Sequence, residues 1–204
     1  MEEEKVQDDI LFIRKIIEDN QRILVDNGLS YIINGVVIAI GVPLSMVMSF
    51  AGMDRYVPFT WIFLIVLMVA LNLLVSIKVE KQQRIKTFGS EVFSAVWLAC
   101  GLSIVILFVL SIPTSGMTSP TFMATCASIL AIGYLLTGVI NDFKFMKVLA
   151  GLWWLTAIII GVWKYFLELQ FMSIFFAIMV FILQLIPATI IYKKWKKVNQ
   201  KHAI

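Results

Sequence analysis

For most of its length this chain neither alternates apolar and polar residues nor keeps a single apolar stripe. Its apolar residues come in long blocks. "LSYIINGVVIAIGVPLSMVMSF", Leu29 to Phe50, is the first of them. A helix that crosses a bilayer needs about 20 predominantly apolar residues. Further blocks of that size run over about 58–77, 92–112, 121–140, 148–165 and 171–192. The fourth block is the most diluted, by Thr121, Thr125, Ser128 and Thr137. The pattern predicts an all-α membrane protein with a six-transmembrane-helix bundle.

The stretch before the first block follows a different rule. On a helical wheel Val6, Ile10, Ile13, Ile17 and Leu24 share one narrow sector, widened by Phe12, Ile16 and Ile23. Arg14, Lys15, Glu18 and Arg22 fall opposite. That is the signature of an amphipathic helix, and Asp26-Asn27-Gly28 supplies its stop. The expected organisation is therefore a cytoplasmic amphipathic helix over 1–27, the bundle over 28–192 and a basic cytoplasmic tail over 193–204. Interfacial helices usually carry Lys and Arg on the polar face. Residues 1–26 instead hold eight acids against four bases. This helix is expected to dock on the protein's own basic inner surface, with Ile10, Ile13, Ile17 and Leu24 as the docking stripe. A plain interfacial helix and a docking helix for a soluble partner are the other two readings of it.

Composition agrees with the block pattern. Of 204 residues, 60% are hydrophobic and only 15% charged, against about a quarter charged in soluble domains. Mean hydropathy is +0.92. The net charge of +4 is a matter of topology rather than of nucleic-acid binding. Of the 17 Lys and Arg residues, all but Arg55 and Lys164 fall in the N-terminal segment, the second and fourth loops and the tail. By the positive-inside rule these lie on the cytoplasmic side. An even number of spans then places both termini there, in a cytoplasmic (inner) membrane. No positively charged leader with a short apolar stretch precedes the first block. Pro43 and Pro187 are expected to kink or hinge their helices.

Candidate chemistry is sparse. His202, in the tail, is the only histidine, which excludes histidine-cluster zinc and bis-histidine haem sites. No span pairs two carboxylates, as acid–base or di-metal chemistry requires. Cys100 and Cys126 lie within blocks and read as small packing residues. No phosphate-cradling loop or dinucleotide fingerprint is present. The expectation is a protein that is not an enzyme, holds no cofactor or metal, and has the lipid bilayer and a protein at the cytoplasmic face as partners. Rows of small residues (Gly35 and Ala39; Ala95, Ala99 and Ser103; Ala127 and Ala131; Ala157 and Gly161) let helices approach closely, mostly within the bundle.

Polar residues recur at one depth. Asn34, Asn72, Tyr134, Thr137, Thr156 and Gln184 all fall in the inner half of their blocks. At 1.5 Å per residue this is roughly 5–12 Å below the cytoplasmic surface. Amides in hydrocarbon are costly unless hydrogen-bonded, so these groups are expected to face inward. They form either interhelical glue or a ligand vestibule covered by the N-terminal helix.

"FIRKIIEDNQRILVDNGLSYIINGVVIAIG" and "GYLLTGVINDFKF" are similar to stretches of a loose group of uncharacterised bacterial multi-pass inner-membrane proteins with an N-terminal amphipathic helix. The resemblance covers about a quarter of the chain. It implies a bacterial cytoplasmic membrane and no particular chemistry. In size alone the chain also resembles the substrate-binding subunits of energy-coupling-factor vitamin transporters, which usually lack such a helix. Two functional classes follow. One is a non-enzymatic protein, regulatory or accessory to a membrane or cytoplasmic partner. The other is a small-solute carrier or substrate-binding membrane subunit. A tightly filled bundle favours the first, and a pocket walled by Trp and Met favours the second.

Overall fold

The computed structural model describes residues 28–80, 88–113, 120–140, 142–163 and 170–201. The expected N-terminal helix, with Ile10, Ile13, Ile17 and Leu24, lies outside them. Among the described residues the secondary structure is helical throughout. The helices are α1 (Leu29–Phe50), α2 (Val57–Glu80), α3 (Phe88–Ser111), α4 (Pro120–Ile140), α5 (Lys144–Val162), α6 (Gln170–Val180) and α7 (Ile186–Lys201). A five-residue π-helical turn, Phe181–Leu185, joins α6 to α7, so that the pair makes one span. Six helices are thus long and apolar enough to cross a membrane.

The π-turn has a local cause. Pro187 brings no N–H, and its ring crowds the preceding turn. The helix widens just before it, and the Ile186 N–H bonds the Phe181 carbonyl, five residues back. Pro43, by contrast, sits inside α1 without interrupting it.

Close backbone approaches sort the helices into two sets. In the first, α1 lies along α6, the π-turn and α7, and α2 packs on α1. In the second, α4 and α5 form the most extensive contact of the molecule, and α3 packs on α4. Small residues make both sets tight. Gly28 takes φ +69° at the start of α1, where a Cβ would come within 2.9 Å of the Ala188 carbonyl oxygen. A Cβ on Gly35 would meet Leu185 at 2.9 Å. In the α4–α5 pair Ala127, Ala131 and Ala150 are wholly buried. The turn between these two helices closes on Asp142, which adopts a left-handed φ of 45°, and the Phe143 N–H returns to the Gly138 carbonyl at 2.9 Å.

Between the sets the backbones come close chiefly where α5 meets α6 and the π-turn. Large side chains fill the space instead. Burial is uneven as a result. Half of the α4 span is buried, but only 6% of the α2 span and 11% of the α3 span. The small-residue row of α3 lies on its exposed side, because Ala95, Ala99 and Ser103 are all exposed. The expectation that such rows serve packing within the bundle fails there. Phe93, Trp97, Ile104 and Leu107 are the α3 residues that pack on the core.

Candidate functional site: an aromatic seam between two helix sets

Rings from five spans meet where the two sets face each other. Tyr31 on α1 lies edge-on to Trp97 of α3, with ring centroids 5.0 Å apart, and 5.7 Å from Tyr134 of α4. Trp97 and Tyr134 are also edge-on, at 5.7 Å. Tyr134 stacks on Trp153 of α5 at 6.5 Å with 22° between planes. Trp153 meets Phe176 of α6 at 6.3 Å. Further along the same seam Trp163 packs against Phe175 at 5.1 Å. Rings in such offset and edge-to-face contacts add about 0.5–1.5 kcal/mol per pair beyond their burial. The seam is thus held by side-chain rings more than by backbone proximity.

Its polar groups are not all satisfied. The Trp97 indole N–H donates to Thr137 Oγ1 at 3.1 Å, and the Thr137 hydroxyl donates to the Gly133 carbonyl at 2.7 Å. Gln184, in the π-turn and buried, donates through Nε2 to the Tyr31 carbonyl at 3.2 Å. Its Oε1 has no partner among the described residues. Trp153 is wholly buried, and its indole Nε1 likewise has no partner among them. Thr156 does not help Trp153, since its hydroxyl goes to the Leu152 carbonyl at 2.8 Å. An unmet buried donor or acceptor costs about 1–3 kcal/mol. The seam therefore holds one unmet donor on α5 and one unmet acceptor on the π-turn.

Of the six residues expected in a polar layer, Tyr134, Thr137 and Gln184 border this ring cluster. Thr156 is fully buried and bonds only its own helix. Asn34 and Asn72 meet each other instead: Asn72 Nδ2 donates to Asn34 Oδ1 at 2.7 Å and to the Met68 carbonyl at 2.8 Å. That pair ties α2 to α1. Reading by depth missed Tyr31, Trp97 and Trp153. No signal in the sequence marked them: Trp153 is about the sixth of eighteen residues of its block, within reach of the interface that Trp and Tyr favour in membrane helices.

A second feature lies on the flank of the α4–α5 pair, between the first half of α4 and the second half of α5. It is an open groove of about 510 Å³, lined by Thr125, Ser128, Trp154, Ala157, Ile158 and Gly161 among others. Two of its hydroxyls bond their own helix: Thr125 donates to the Thr121 carbonyl at 2.7 Å and Ser128 to the Ala124 carbonyl at 2.9 Å. The groove offers van der Waals contact and little polar recognition.

Outside the spans, the Asp142 carboxylate accepts from Lys147 Nζ at 3.0 Å. This hydrogen bond, with the Lys147 charge and, more weakly, that of Lys144, holds the carboxyl below its ordinary pKa. Among the described residues no group of His, Cys, Asp and Glu side chains is placed to hold a metal ion.

Six apolar helices around a ring-filled centre define a multi-pass membrane protein. Comparison with protein-family models, with curated proteins and with solved structures finds no match for this chain.

Proposed function

We propose that the chain is a non-enzymatic protein of the bacterial cytoplasmic (inner) membrane, regulatory or accessory to a membrane or cytoplasmic partner. One contrast carries this reading. The centre is filled, with Ala127, Ala131, Ala150, Trp153, Thr156, Ile160, Met172 and Val180 at 0% exposure, while α2 and α3 bury almost nothing and turn broad faces outward. The exposed row Ala95, Ala99 and Ser103 is the kind of surface that lets another transmembrane helix approach closely. The charge pattern supports cytoplasmic termini, and the amphipathic pattern of residues 6–24 supports a cytoplasmic docking helix. Cysteine labelling of intact cells tests the orientation: sites at Met117 and Asp54 react, and sites at Gln83 and Gln200 do not. Native purification with mass spectrometry tests the role. A stoichiometric partner that is lost on Ala99→Leu or on removal of residues 1–24, with the bundle still folded, is the expected result. Recovery of lipid alone would refute the reading.

A second reading, a small-solute carrier or substrate-binding membrane subunit, is favoured by one observation: the unmet hydrogen-bonding atoms of Trp153 and Gln184 in the seam.

A further inference from the structure

The two unmet atoms differ in kind and sit on opposite walls. The Trp153 Nε1–H is a donor on α5, in the set of α3, α4 and α5. Gln184 Oε1 is an acceptor on the span that packs along α1. Tyr31 belongs to the Gln184 side and Tyr134 to the Trp153 side, with ring centroids 5.7 Å apart. The chain does satisfy an indole in this cluster where nothing else intervenes, as Trp97 shows with Thr137. Among the described residues no side chain does the same for Trp153, and the nearby hydroxyl of Thr156 is turned to its own helix. Each unmet atom weakens the closed seam. Backbone contact across it is slight compared with contact inside either set, so this is where the bundle separates with least loss.

We propose that the seam is a binding site for an uncharged, planar heteroaromatic molecule that carries both a hydrogen-bond donor and an acceptor. Such a guest enters between the Tyr31 and Gln184 wall and the Tyr134 and Trp153 wall. It replaces ring–ring contacts with its own stacking, accepts from the Trp153 N–H and donates to Gln184 Oε1. A charged guest is excluded, because the described spans place no ionised side chain among these rings. The π-turn suits this role. It carries Gln184, and the widened backbone before Pro187 is where the span yields most readily. The proposal goes beyond the accessory reading and is tested separately from it.

The experiment uses the full-length protein in lipid nanodiscs, with empty nanodiscs as the blank. The probe is 4-quinolone, which is planar, neutral and bears one N–H and one C=O at opposite ends of a ring. Saturable binding above the blank is expected, measured by equilibrium dialysis and by quenching of tryptophan emission. N-methyl-4-quinolone, which lacks the donor, should bind about 2–10-fold more weakly, and naphthalene more weakly still, as the loss of one or two ordinary hydrogen bonds implies. Trp153→Phe keeps a ring on Tyr134 and removes the N–H. Gln184→Leu keeps shape and removes the acceptor. Each should weaken 4-quinolone by the same 2–10-fold while leaving naphthalene unchanged. The wild-type comparison of the three probes stands even if a variant does not fold. Binding no better than to empty nanodiscs overturns the proposal and leaves buried water as the partner of both atoms. Equal binding of 4-quinolone and naphthalene also overturns it, since that is partition into apolar space.

Discussion

Replacing Gly28 with alanine is the sharpest test of how α1 joins the last span. Two costs add. At φ +69° a non-glycine residue is strained by about 1–2 kcal/mol. The new Cβ also falls 2.9 Å from the Ala188 carbonyl oxygen and 3.3 Å from the Tyr192 nitrogen. Both are backbone atoms that cannot rotate aside. Overpacking of this kind typically costs about 1–3 kcal/mol. Gly28→Ala should therefore destabilise by about 2–5 kcal/mol. Gly52 provides the control. Its φ is +72°, yet a Cβ there would meet nothing within 4 Å. Gly52→Ala pays the strain alone, about 1–2 kcal/mol. Equilibrium unfolding in mixed detergent micelles measures both. The difference between the variants, about 1–3 kcal/mol, is the contact between Gly28 and α7. Equal destabilisation would show that α1 does not start against α7, and the pairing of first and last spans would fall with it.

Two further outcomes are expected. In a double-mutant cycle with Asn34→Leu and Asn72→Leu, the coupling should be about 0.6 kcal/mol and no more than about 1.7 kcal/mol, the range for hydrogen bonds between membrane helices; additive single effects would mean that the pair does not form. The depressed Asp142 pKa contributes stability that is present above the unfolded-state value and lost as pH falls through the folded one, in a window below the usual 3.8. Lys147→Gln should move the Asp142 midpoint upward, read by carbon NMR of the carboxyl, and an unmoved midpoint would contradict the ion pair.

The bundle was legible in the sequence because solvent dictates it: long apolar blocks have nowhere else to go. The first span agrees at both ends, since the Gly28 turn and the polar "AGMD" loop mark them. Other helices run past their blocks. α3 starts at Phe88 rather than near 92, and α5 at Lys144 rather than near 148. Apolarity reports the membrane crossing, whereas backbone hydrogen bonding carries a helix on into polar surroundings. Hydroxyls dilute the fourth block, yet α4 is the most buried span. Thr125, Ser128 and Thr137 each bond the carbonyl four residues back, so in a helix they behave as small residues and suit close packing. Depth alone put Asn34 and Asn72 with Gln184. It could not show that the asparagines face each other across α1 and α2, or that Tyr31, Trp97 and Trp153 converge, because no spacing in one chain encodes which spans become neighbours. The same limit hid which small-residue rows face outward, as Ala95, Ala99 and Ser103 do.

Pairing the first span with the last has a consequence for how the chain is made. The Gln184 bond to Tyr31 spans 153 positions. At ordinary synthesis rates of about 5–20 residues per second, α1 must wait roughly 8–30 s in the membrane before its partner leaves the ribosome. Its glycine face, with Gly28 and Gly35, is open for all of that time. Asn34 waits far less, because Asn72 follows only 38 positions later, about 2–8 s at the same rate. The α1–α2 hairpin thus satisfies its half-buried amide early, while the side meant for span six stays vacant. Insertion machinery or lipid has to hold that surface through the arrival of three further helices, and damage late in the chain strands a first span that is already committed.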